Sequence, residues 1–201
     1  MKRTTATSIV LALAMVAVVW LATPMFAQEE HGEFGVFADY TRFHNLNNQN
    51  FFGVGGQIAF NLNNYVQLEG SMAYDFERNF TSSGTPIVGG GSNFQRTGFR
   101  ILNGLFGPKL QTGVGPVKAF GTLKAGFDNF SLTNRSIAGG FVNQVSGVPD
   151  GNTHFALYPG GGLEFFIGRV FGIRAEIGDE MYWENGANHN LKVKFGPQFR
   201  W

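Results

Sequence analysis

The last eleven residues alternate. Leu191, Val193, Phe195, Pro197, Phe199 and Trp201 share one side of an extended chain, and Lys192, Lys194, Gly196, Gln198 and Arg200 share the other. A repeat of two belongs to a strand with unlike faces; a helix repeats every 3.6 residues. The same alternation recurs upstream. Val66, Leu68, Met72, Tyr74 and Phe76 are set against Gln67, Glu69, Ser71, Asp75 and Glu77. Ile173, Ala175 and Ile177 are set against Arg174, Glu176 and Gly178. Leu163, Phe165 and Ile167 oppose Tyr158, Gly160, Gly162 and Glu164, and Leu123, Ala125 and Phe127 oppose Lys118, Thr122, Lys124 and Asp128.

In all, eight alternating segments are predicted: Phe34 to Phe43, Phe51 to Leu62, Tyr65 to Glu77, Gly98 to Gln111, Val117 to Phe130, Phe155 to Ile167, Ile173 to Trp183 and Leu191 to Trp201. Their lengths suit tilted strands crossing a hydrocarbon layer, which needs roughly 9–11 residues each. Composition agrees. Gly (29 residues) disfavours helix interiors and Phe (22 residues) favours strands. With no cysteine, no disulfide holds the fold.

Residues 1–27 read as a cleaved secretory signal peptide. Lys2 and Arg3 form a basic start, Ile9 to Leu21 is almost unbroken apolar chain, and Met25-Phe26-Ala27 ends on a small residue. The rival reading, a single spanning helix, needs roughly 20 apolar residues. The fold is then expected to occupy residues 28–201. Without Lys2 and Arg3, 13 basic residues face 14 acidic ones. That balance argues against nucleic acid, which wants a basic surface.

No second long apolar run follows the leader, so any membrane crossing must use strands. In lipid every backbone group needs an internal partner, and only a closed barrel satisfies strands. The expected fold class is all-β: an eight-stranded antiparallel up-and-down transmembrane β-barrel.

Connections alternate in length. Asn63-Asn64, Thr112 to Pro116 and Gly168 to Gly172 read as tight turns. His44 to Asn50, Arg78 to Thr97, Ser131 to His154 and Glu184 to Asn190 read as longer loops. Short turns on one rim and long loops on the other are the plan of an outer-membrane barrel, with both termini on the periplasmic side. Aromatics gather near the strand ends as expected girdles. Tyr65, Phe171, Phe199 and Trp201 mark one rim; Tyr74, Phe76, Phe127, Phe130, Phe155, Tyr182 and Trp183 mark the other. Phe37 and Leu105 fall on the polar face by simple counting. Either a bulge repairs the count or these side chains plug the lumen.

The run Gly55-Gly56-Gln57-Ile58-Ala59-Phe60-Asn61-Leu62, a tight turn, then Val66-Gln67-Leu68-Glu69-Gly70 resembles the second hairpin of OmpA-like and OmpX-like eight-stranded outer-membrane barrels. The closing Phe199-Arg200-Trp201 resembles the C-terminal signal that the barrel-assembly machinery reads, with Trp201 where that family usually ends in Phe. The resemblance covers about residues 30–201 and implies a cell outer-membrane location. Its implied partners are membrane lipids and lipopolysaccharide, with the assembly machinery acting during insertion, and the chain is expected to be a monomer. The peptidoglycan-binding domain of full-length OmpA-type proteins is not in this sequence, so a wall-anchoring role is not expected.

Inward charges are the main candidate site. Glu69, Glu164 and Glu176 can meet Lys109, Lys118, Lys124, Arg174, Lys192, Lys194 and Arg200 inside the lumen. Leaving one without its partner would cost about 3–5 kcal/mol, so pairing across neighbouring strands is expected. A static plug of salt bridges is favoured over an ion path, because eight-stranded lumens are filled by side chains.

Gly89-Gly90-Gly91 lacks the helix and Lys-Ser/Thr pair of a phosphate loop and reads as plain loop, as does Gly147-Val148-Pro149-Asp150-Gly151. Such long exposed loops are where binding would lie. His31, His44, His154 and His189 are all expected outside the strands, with no metal-ligand spacing. His189-Asn190-Leu191-Lys192 lacks the His-x-Ser-Asn signature of lipid A deacylases. No catalytic residue, cofactor or metal is expected, and the chain is not read as an enzyme. The expected role is structural or surface-interacting. A narrow porin-like channel is the alternative, and a lipid-modifying enzyme is third.

Overall fold

The computed structural model describes residues 31–44, 48–83, 94–112, 115–134, 152–184 and 186–201. The expected signal peptide and the glycine runs at 89–91, 139–140 and 147–151 lie outside them.

Eight antiparallel strands form one closed barrel, each paired to its neighbour in sequence. They are β1 (Gly32–Phe43), β2 (Gln49–Asn61), β3 (Val66–Ser83), β4 (Phe94–Gln111), β5 (Val117–Asn134), β6 (Thr153–Ile167), β7 (Phe171–Trp183) and β8 (Ala187–Arg200). Closure is made by β1 against β8, in register from Glu33↔Arg200 to Phe43↔Asn190. Closure leaves no strand edge, which is what a sheet in lipid requires.

The near rim carries Gly32, Trp201 and the tight turns. Here the main-chain oxygen of Trp201 accepts from the amides of His31 (2.7 Å) and Gly32 (3.3 Å), sealing the seam between the two ends. In the β2–β3 turn, Asn63 Oδ1 accepts from the amides of Tyr65 and Val66, both at 2.8 Å. This side-chain mimic of a backbone turn is why Asn suits the position. Gly168 opens the β6–β7 turn at φ +78°, where a side chain would be strained.

At the far rim the strands outrun expectation. β3, β4 and β5 have 18 residues each, about 60 Å of extended chain, well beyond the span of a hydrocarbon core. The expected loop Glu184 to Asn190 is mostly strand, and only 184–186 connects β7 to β8. Asn188 explains the difference: its side-chain amide donates to the carbonyls of Tyr182, Glu184 and Gly186 at 3.1–3.5 Å, holding the turn shut. In consequence His189 lies in β8, not in a loop; His154 likewise lies in a strand, because β6 begins at Thr153.

The outer wall is apolar along every strand. Phe34, Phe52, Phe60, Met72, Phe106 and Phe195 are among many large apolar side chains left open. Such a wall, far larger than the patches soluble monomers expose, is stable only against hydrocarbon. The fold is a transmembrane β-barrel.

Phe37 and Leu105 point into the lumen and are buried, and β1 keeps its register against both β2 and β8, so the plugging alternative is the one found. Among the described residues the ladder shifts register elsewhere, in β3 between Asp75 and Arg78. Room for Phe37 comes from Gly55, where a Cβ would lie 2.4 Å from the ring. Tyr158 is accommodated in the same way over Gly178. Two expected girdle residues are corrected: Phe130 and Tyr182 are buried inside the barrel. They share strand parity with inward Asp128 and Glu176, which forces them in.

Candidate functional site

Alternation turns one side chain in two toward the axis, so each strand contributes a column to the lumen. Reading the columns from the near rim upward gives four layers: charged, aromatic, acidic, aromatic.

The charged layer is centred on Arg174 of β7. Its guanidinium donates to Glu69 of β3 through Nη1 (2.6 Å) and Nη2 (3.0 Å). Nη2 also reaches Glu176, and Nη1 lies 3.4 Å from Glu164. The group stacks on Phe120, 4.2 Å from the ring centre. A fork of donors is what lets one residue serve several carboxylates. Lys109 joins Glu164 to Glu33 (3.1 Å), and Lys124 joins Glu69 to Glu176 (3.2 Å). Lys194 is 3.7 Å from Glu176, and Arg200 is 3.8 Å from Glu33. Lys118 and Arg200 lie over the ring of Phe166.

Most of these pairs were expected between neighbouring strands. Neighbours do align, Glu164 with Arg174 and Glu176 with Lys194. Yet the shorter contacts cross the lumen, as from β3 to β7 in Glu69–Arg174. An eight-strand bore is narrow enough for long side chains on opposite walls to meet.

Phe37, Leu105 and Tyr158 come next. All three are buried, and they occupy inward positions between the charged residues and those above. The Lys194 ammonium lies between Phe37 (5.3 Å) and Tyr158 (4.4 Å), and Lys124 lies 5.5 Å from Tyr158. This aromatic floor marks the upper limit of the basic side chains save one.

Above the floor lies an acidic layer. Asp39, Asp75, Asp128 and Glu180 are fully or almost fully buried, and among the described residues a single cation, Lys192, lies in their layer. Its ammonium is 3.1 Å from Asp39 and 2.7 Å from Glu180. Lys192 therefore stands apart from the other nine residues expected to form the charge cluster. Glu33 was not foreseen, because it precedes the expected start of the first strand. Asp39, Asp75, Asp128 and Glu180 were missed as a group although strand parity places each inward.

A cap closes the far end: Phe43, Phe51, Phe99, Ile101, Phe130 and Tyr182, all buried. Phe99 stacks on Phe130 at 5.5 Å, Phe130 meets Tyr182 edge-on at 5.0 Å, and Phe43 meets Phe51 at 5.3 Å. Aromatic pairs in such geometries add about 0.5–1.5 kcal/mol each beyond their burial.

Two further sets of residues stand outside the lumen. His189 Nδ1 and Asp179 Oδ2 are 2.6 Å apart on exposed side chains of β8 and β7. At the near rim, Phe199 packs on Phe171 (5.6 Å) and Trp201 on Phe60 (6.4 Å).

Solved barrels have this architecture. The attachment invasion locus protein Ail of Yersinia pestis superposes with a TM-score of 0.56 over 87% of this chain and 100% of its own, at 17% identity. Neisserial surface protein A gives 0.59 over 85% and 97%, at 11% identity. The N-terminal barrel domain of Pseudomonas aeruginosa OprF gives 0.51 over 86% and 100%, at 12% identity. The fold is that of the eight-stranded outer-membrane barrels. No protein-family model and no curated protein matches the sequence.

Proposed function

We propose that the chain is an integral outer-membrane protein with a structural or surface-interacting role, and that its lumen does not conduct. The observation that carries this reading is the double closure of the bore. The charged layer fills the near half with ion pairs that hold one another in place, and two aromatic layers cross the bore above it. A solute would have to part both, and desolvated charges separated in a narrow lumen have no water to turn to. The near rim then faces the periplasm and the far rim the exterior, where β3 to β5 carry sheet beyond the membrane. Binding to surfaces or to lipopolysaccharide would take place at that far end, outside the barrel. In the same reading, Phe199 and Trp201 serve the assembly machinery during insertion.

Reconstitution into planar bilayers tests the closed lumen. The expected record is flat at moderate voltage. Stable, reproducible openings would overturn the reading in favour of the narrow channel. Migration on a gel with and without boiling tests the membrane barrel itself; identical migration in both states would contradict it.

A further inference from the structure

We infer that the acidic layer between the two aromatic layers is a binding site for a hydrated divalent cation of the Mg2+ type. The first reason is charge. Asp39, Asp75, Asp128 and Glu180 surround Lys192 alone, and the nearest other ammonium, Lys194, is held below by Glu176 and the floor rings. Four carboxylates against one ammonium, with layers of buried side chains above and below, are far from neutral, and an interior tolerates charge only when it is compensated.

The second reason is independent of the carboxylates. Neutral oxygens in the same layer also go unused. Thr41 Oγ1, Asn103 Oδ1 and Asn190 Oδ1 belong to residues at least 99% buried and have no hydrogen-bond partner among the described residues. Asn103 is turned into the layer, with its amide nitrogen 3.5 Å from Glu180. Thr41 is paired with Lys192 in register, and Asn190 with Glu180. Native interiors satisfy such atoms, so several together call for something between them. Both oxygens of Asp75 and both of Asp128 are likewise without a hydrogen-bond partner.

The donor set fixes the class of ion. Carboxylate, amide and hydroxyl oxygens, with no sulfur or imidazole, suit a hard cation. Among the described residues no three carboxylates or imidazoles converge closely enough to grip one ion directly. That disfavours Ca2+, which takes 6–8 oxygen ligands and draws most of them from clustered carboxylates and carbonyls. It fits Mg2+, which keeps several waters and needs only one or two carboxylates. Asp75 and Asp128 would make the direct or water-bridged contacts, and Thr41, Asn103 and Asn190 would hold the waters.

The test is thermal unfolding of the whole protein in a non-ionic detergent, with MgCl2 added at constant ionic strength against N-methyl-D-glucamine chloride. The wild type should gain roughly 5–10 °C in midpoint once Mg2+ is about a hundredfold above its dissociation constant. The double variant Asp75→Asn, Asp128→Asn should lose that gain. Asp179→Asn, on the exposed pair, should keep it. If the wild type responds equally to the bulky organic cation, screening is the cause and the proposal fails. No response to Mg2+ means that protons neutralise the layer, and the proposal fails equally. Should the double variant not fold, the wild-type comparison of the two cations decides alone.

Discussion

The two halves of the lumen treat charge in opposite ways. In the near half every carboxylate meets at least one cation, and Arg174 alone serves three of them. In the far half Asp75 and Asp128 meet none within ion-pairing distance among the described residues, and aromatic rings do the closing. Both halves are buried to a similar degree. What differs is whether removing a charge breaks a pair or relieves an excess, so the same kind of substitution should act with opposite sign in the two halves.

The largest effect is expected in the near half. Arg174→Met keeps the side chain's bulk but takes from Glu69, Glu164 and Glu176 the partner they share, leaving Lys109, Lys124 and Lys194 to compensate all three. Removing one member of a buried pair costs about 3–5 kcal/mol, and three carboxylates weakened at once place this variant at the upper end. Urea unfolding in lipid vesicles, followed by tryptophan fluorescence, measures it. A loss below about 1 kcal/mol would mean that the charged layer is not what holds the near half.

Next comes the cap. Phe130 touches Phe43, Phe99 and Tyr182, so Phe130→Ala opens a hole in the middle of the cluster. About 3 kcal/mol is expected, since the rim can partly collapse onto the gap. Conductance should stay absent, because Phe37, Leu105 and Tyr158 still cross the bore below. Channel openings in this variant would show that the cap alone seals the barrel.

The third effect has the reverse sign. Asp128→Asn, measured at low divalent concentration, should raise stability by about 1 kcal/mol, because it removes a buried charge that has no partner. Glu69→Gln, the matching change in the near half, should lower stability by about 3 kcal/mol, because it strips Arg174 and Lys124 of a shared partner. Equal signs for the two variants would erase the distinction between the halves.

How much of this the sequence discloses depends on what each feature requires. Faces were legible wherever charge and apolarity alternate, as in β8, because strand parity is local. Phe130 and Tyr182 were misplaced in a girdle even though Lys124 and Glu176, an even number of residues away, face inward; hydrophobicity was allowed to outrank parity. The same bias hid the cap, where Phe43, Phe51 and Phe99 look lipid-facing by type and are lumenal by position. Pairing was less legible still. Glu69 and Arg174 are 105 residues apart and meet only because the closed barrel brings β3 opposite β7. No local signal encodes that contact, since it follows from strand number and stagger together. The early start of β8 is hidden by Asn188, which reads as a loop residue and acts as a turn brace.

The smallest effect is expected outside both halves, and it supplies their baseline. Asp179 and His189 are 2.6 Å apart, the same separation as Arg174 and Glu69 in the lumen, but their side chains are 42% and 58% exposed. Exposed pairs gain little, because water already solvates each partner and salt screens what remains. Asp179→Asn should therefore shift stability by less than about 1 kcal/mol, and less again as salt rises. The comparison with Glu69→Gln holds contact distance nearly constant and changes only burial. If the two variants cost the same, distance rather than desolvation governs the charges of this barrel, and the contrast between its two lumenal halves loses its physical basis.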